Sequence, residues 1–225
     1  MAPVRTGLDD RISIVADRIR DFGKLGRHTY ELAMETLEGN DNFTEIQGNR
    51  DRARKLMSEL SDDLLLILTL NQPLSKDLRI IASYMRAVDV LERTVRHARD
   101  VGYSGNIILQ NKQLSENISE DLIPTIRKMY THLVEIDTHV FSSMVELIDI
   151  DLDFCKNHFE QLREITNETN EIILELKGKT VGGREGRILH LKIINRMERT
   201  VYNLIRLSEV WHHAMTGDWV TIEDL

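Results

Sequence analysis

Glu92-Arg93-Thr94-Val95 and Glu198-Arg199-Thr200-Val201 are the same tetrapeptide, the second copy beginning 106 residues after the first. The match runs beyond those four residues. At the same offset Val88 aligns with Ile194, Leu91 with Met197 and Ala98 with Leu204, while Asp89 aligns with Asn195. Conserving an apolar register is what packing requires. Conserving a glutamate and an arginine inside that register is not, so the pair marks an internal duplication. The chain reads as an all-α protein of two tandem three-helix bundles, with the tetrapeptide in the third helix of each.

Apolar residues on either side recur at helical spacing. Val15, Ile19, Phe22, Tyr30, Ala33 and Leu37 share one face of a first helix over about 9–38, which Gly39-Asn40-Asp41-Asn42 stops. Thr44 can cap a second helix with the stripe Ala53, Leu56, Leu60, Leu64, Ile67, ended by Asn71-Gln72-Pro73. Ser75 is the natural N-cap of the third. That helix carries Ile81, Met85, Val88, Leu91 and Val95, and Gly102-Tyr103-Ser104-Gly105 marks its end. The second half repeats the plan: a helix from Ile118 to about Ile148, one carrying Leu152 to Leu176, and one with Ile188, Leu191, Ile194, Met197, Val201 and Leu204. Lys177 to Gly186, with four glycines, reads as a connector. The units are 9–105 and 116–215, and 216–225 reads as a tail.

Composition narrows the function. The net charge of −8 disfavours a nucleic-acid backbone as partner. One cysteine, Cys155, allows no internal disulfide, and no run approaches the roughly 18 apolar residues of a membrane span. The N-terminal residues lack the apolar stretch of a signal peptide. A cytoplasmic location is expected.

The segment Gln72-Pro73-Leu74-Ser75-Lys76-Asp77-Leu78-Arg79, followed by Leu91-Glu92-Arg93 and duplicated at Met197-Glu198-Arg199, resembles the PhoU family of phosphate-transport regulators. The resemblance covers about residues 12 to 214. It implies two three-helix bundles, usually dimeric, that act with a phosphate ABC transporter ATPase and a sensor kinase to restrain phosphate-starvation signalling. It also implies, for some members, iron or zinc clusters held by an acid-x-x-x-Asp motif on each third helix.

That motif is incomplete here. Glu92 and Glu198 are the metal candidates, but the fourth residue on is Arg96 in one copy and Tyr202 in the other. A guanidinium opposes a cation, and a tyrosine is a poor ligand at neutral pH. Asn49, Arg52, Asn167 and Asn170 stand where the family tends to place acids, with Asp51, Glu168 and Glu171 surviving nearby. The expectation is no bound metal, with Glu92 paired to Arg96 along its helix. The competing function is a metal-binding helical protein or metal-dependent enzyme using Glu92 and Glu198.

Other constellations read as structural. His132 and His139 share a face; Glu135 and Asp137 lie between them, but the spacing does not mark a ligand set, and the pair reads as surface or groove histidines. Glu209-x-x-His212 matches half of a di-iron element, but no second copy exists. Cys155 lies on an apolar stripe, close in sequence to Lys156 and His158, and reads as a buried structural thiol. Gly182-Gly183-Arg184-Glu185-Gly186 lacks the Lys-Ser/Thr ending of a phosphate loop. No catalytic constellation emerges.

Overall fold

A computed structural model describes residues 4–115, 122–175 and 183–222. Its helices are α1 (Val4–Leu37), α2 (Phe43–Asn71), α3 (Ser75–Gln110), the single turn α4 (Lys112–Ser115), α5 (Leu122–Glu146), α6 (Leu152–Glu175) and α7 (Gly183–Thr216). Among the described residues there is no strand. Helices α1, α2 and α3 pack as one antiparallel bundle, and α5, α6 and α7 as a second. The two lie side by side through α3 against α7 and α1 against α5.

Most of the stripes read from the sequence form the core, but Met85, Ile188 and Leu191 are exposed. Ile19, Phe22, Tyr30 and Ala33 of α1 are fully buried, as are Leu60 and Leu64 of α2, Leu91 and Val95 of α3, and Met197 and Val201 of α7. Burying each such aliphatic side chain contributes roughly 1.5–3 kcal/mol. Polar cross-links then fix the bundles against each other. The Tyr84 hydroxyl of α3 donates to the Met144 carbonyl of α5 at 2.9 Å, and the Trp211 indole of α7 donates to the Ile148 carbonyl at 2.8 Å.

Several boundaries differ from the sequence expectation. Gly102 and Gly105 do not end α3, which runs on to Gln110. A Cβ on Gly102 would lie 2.6 Å from Ile46 Cδ1, and one on Gly105 would lie 3.2 Å from Leu37 Cδ2. These glycines let α3 press against α1 and α2; they are contact residues inside a helix. Ser75 is the first residue of α3, and Leu74 holds the cap position without a side-chain bond. Asn42 rather than Thr44 precedes α2, and its amide donates to Glu35 instead of capping. The expected start of the fourth helix at Ile118, and Lys177 to Gly182 of the expected connector, lie outside the described residues. Gly183 to Gly186 already belong to α7.

The segment after Gly217 is more than a tail. Its Ile222 is buried, and the Ile222 backbone N–H donates to Glu209 Oε1 at 2.8 Å. Trp219 stacks on His213 with ring centroids 4.0 Å apart.

Candidate functional site

The duplicated tetrapeptides lie on the two helices that join the bundles, and their side chains do different things. In α3, Glu92 is buried and ion-paired with Arg50 of α2, not with Arg96. Arg50 is itself only 6% exposed. It occupies a core position of α2, four residues after Ile46 and three before Ala53, both fully buried. A charge at a core register is the signal in the sequence that could have identified it. Thr94 Oγ1 donates to the Val90 carbonyl at 2.9 Å in its own helix, and its methyl packs against Gly26 of α1. Arg93 bonds Asp89 one turn back.

In α7, Glu198 is half-buried and has no cation within ion-pair reach among the described residues. Thr200 is fully buried and serves as a hub. Its hydroxyl donates to the Arg196 carbonyl at 3.0 Å. With its single proton committed there, Thr200 Oγ1 accepts from the Tyr30 hydroxyl at 2.6 Å and from His97 Nδ1–H at 3.0 Å. One threonine thus ties α7 to α1 and α3. Burial, reinforced by the charges of Arg196 and Arg96, pushes the His97 imidazole down to about 4, so it is neutral at pH 7.

A cavity of about 590 Å³ opens along the α3–α7 seam. Tyr103, Ile107, Ile188 and Leu191 give it apolar walls, and Lys192 and Arg199 line it with positive charge. Arg196 is held beside it by Asp100 at 3.0 Å. The volume falls in the usual range for small-molecule sites. Its chemistry suits an anionic group attached to an apolar body.

The geometry fits the family's metal cluster poorly. At Glu92 a buried guanidinium occupies the carboxylate, and Arg96 stands one turn on. At the second copy the Tyr202 hydroxyl accepts from Arg206 Nη2 at 3.0 Å, so a guanidinium again sits beside the missing acid. Among the described residues no three His, Cys, Asp or Glu side chains gather in a ligand set. A cation at Glu92 would have to displace a guanidinium already desolvated by the core.

The remaining candidates scatter. Glu209 is buried, held by Arg206 at 2.9 Å and by the Ile222 N–H, while His212 turns away to Asp149 at 2.9 Å. The Glu-x-x-His element therefore does not converge. Cys155 is fully buried, and burial pushes its thiol up to about 12 despite a hydrogen bond with Ser208. Lys156 and His158 do not activate it.

Fold and site define a protein of two helical bundles joined through α3 and α7, with Glu92 and Thr200 of the repeated tetrapeptide taken up by internal contacts. Residues 19–104 match the family model described as the PhoU domain. The whole fold is shared with PhoU from Pseudomonas aeruginosa at a TM-score of 0.82 and 13% identity, covering 93% of this chain and 99% of that one. It is likewise similar to the phosphate transport system regulatory protein PhoU from Streptococcus pneumoniae, at a TM-score of 0.81 and 18% identity, covering 95% and 99%. A comparison with curated proteins finds no significant match. The chain thus carries a PhoU domain over residues 19–104 and has the fold of PhoU proteins along nearly its whole length. No helix among the described residues is long and apolar enough to cross a membrane.

Proposed function

We propose that this protein regulates phosphate uptake and phosphate-starvation signalling by direct contact with the ATPase subunit of a phosphate ABC transporter, with a sensor kinase, or with both. The observation that carries the reading is the PhoU domain over residues 19–104, within a fold shared along nearly the whole chain with a named phosphate transport system regulatory protein. The protein works in the cytoplasm as a homodimer, without catalysis and without a resident iron or zinc cluster. Its polar motif residues hold helices together, as Glu92 does with Arg50 and Thr200 with Tyr30 and His97. The cationic, partly apolar α3–α7 groove gives a partner a surface to grip.

The test pairs two measurements. Affinity capture from phosphate-replete cells is expected to recover a phosphate-transporter ATPase or a sensor kinase, and deletion of the gene is expected to raise phosphate uptake. Failure to recover either partner, together with unchanged uptake, overturns the proposal.

A further inference from the structure

His132 and His139 lie on one face of α5, and the structure separates their roles by what α6 brings to each. His139 is committed: its ring packs on Phe154 with centroids 4.5 Å apart, and its Nε2 accepts from the Asp151 backbone N–H at 3.3 Å. His132 instead meets His158 of α6, with Nδ1 3.1 Å from Nδ1 and the rings inclined at 60°. Phe154 packs against the other side of His158, at 4.4 Å between centroids, and fixes that ring in the groove. Both imidazoles are half-buried.

Two nitrogens at this separation match two ligands on one metal ion. Imidazole nitrogens bind zinc at about 2.0–2.1 Å, which places two of them about 2.9 Å apart at a right angle and about 3.3 Å apart at the tetrahedral angle. The observed spacing lies between those values. Without a cation, the two nitrogens share one proton as donor and acceptor. With one, both lone pairs are used, and the ion sits roughly 1.3 Å off the line joining the nitrogens. We propose that His132 and His158 form a two-imidazole site that takes one borderline divalent cation, of the copper or zinc type, and clips α5 to α6.

Two features support the site. Glu135, one turn along α5, adds negative charge next to His132. The ligand set is nitrogen, which favours copper and zinc over magnesium or calcium. The site lies in the second bundle, apart from Glu92 and Glu198, and makes no use of the family's acid motif.

The experiment titrates the full-length protein, without a histidine tag, with Zn(II) and Cu(II) at pH 7, with Mg(II) as control. One equivalent of Zn(II) or Cu(II) is expected to bind, and electron paramagnetic resonance of the copper form is expected to show coupling to two nitrogens. Metal at a hundredfold excess over Kd is expected to raise Tm by about 5–10 °C. His132→Ala and His158→Ala should each reduce affinity at least tenfold, while His139→Ala keeps it. Metal-free thermal unfolding of each variant shows that the fold is intact, and His132→Gln serves if the alanine variant unfolds. Absence of a saturable single equivalent, or binding that survives both single substitutions, overturns the proposal.

Discussion

Glu92-Arg93-Thr94-Val95 and Glu198-Arg199-Thr200-Val201 are identical in chemistry and opposite in use. In the first copy the glutamate is the committed residue, locked to Arg50 in the interior, and the threonine only bonds its own helix. In the second the threonine is committed, accepting from Tyr30 and His97, and the glutamate is half-buried with no ion pair among the described residues. The difference shows that a duplicated motif preserves residue types while each copy takes its partners from its surroundings. Here Arg50 and Gly26 surround one copy, and Tyr30 and His97 the other.

The largest expected effect tests that contrast at the glutamates. Glu92→Ala leaves the Arg50 charge buried and alone, and urea unfolding should show a loss of about 3–5 kcal/mol. Replacing both partners, Arg50→Met with Glu92→Leu, should recover most of that loss. Glu198→Ala should change stability by no more than about 0.5 kcal/mol. Equal losses at the two positions would break the comparison.

The threonines reverse the order. Thr200→Val strands the His97 N–H in the core and leaves the Tyr30 hydroxyl only its long bond to the Arg196 carbonyl at 3.5 Å, and should cost about 2–3 kcal/mol by the same measurement. Thr94→Val removes only an intrahelical bond and should cost less than about 1 kcal/mol.

A graded effect should appear in the pH dependence of stability. His97 titrates at about 4 in the fold and near 6.5 unfolded, so acidification through that window protonates the unfolded chain first and destabilises the fold. Asp137 is also buried, and burial, only partly offset by Arg27, pushes its carboxyl up to about 6. Its folded form takes up a proton before the unfolded one does, so acidification from about 6 to 4 stabilises the fold. The two effects oppose each other. Unfolding of the parent protein should vary little with pH over this range from these groups. His97→Gln should uncover a gain on acidification, and Asp137→Asn a loss, provided both are compared with their own stability at pH 7.

The smallest effect on stability, within about 0.5 kcal/mol, is expected from restoring the missing acids at exposed sites. Tyr202→Asp gives Glu198 a carboxylate partner at i+4, whereas Arg96→Asp leaves Glu92 still held by Arg50. Zinc uptake measured on the purified variants should therefore rise more for Tyr202→Asp. A larger gain at Arg96→Asp would show that the Arg50 pair does not block the first copy.

The helices, most of their apolar faces and the repeated tetrapeptide were legible in the chain alone, because a 3.6-residue period and a recurring register are local properties. It also exposed the incomplete acid motif at Arg96 and Tyr202. What the surviving residues do depends on how the helices pack. Arg50 lies 42 residues before Glu92, Tyr30 lies 170 before Thr200, and His158 lies 26 beyond His132. No spacing rule links residues across such distances; helix packing brings them together. The same cause explains why Gly102 and Gly105 looked like a stop: glycine permits both a turn and a close helix approach. Only the presence of Ile46 and Leu37 against them selects the second.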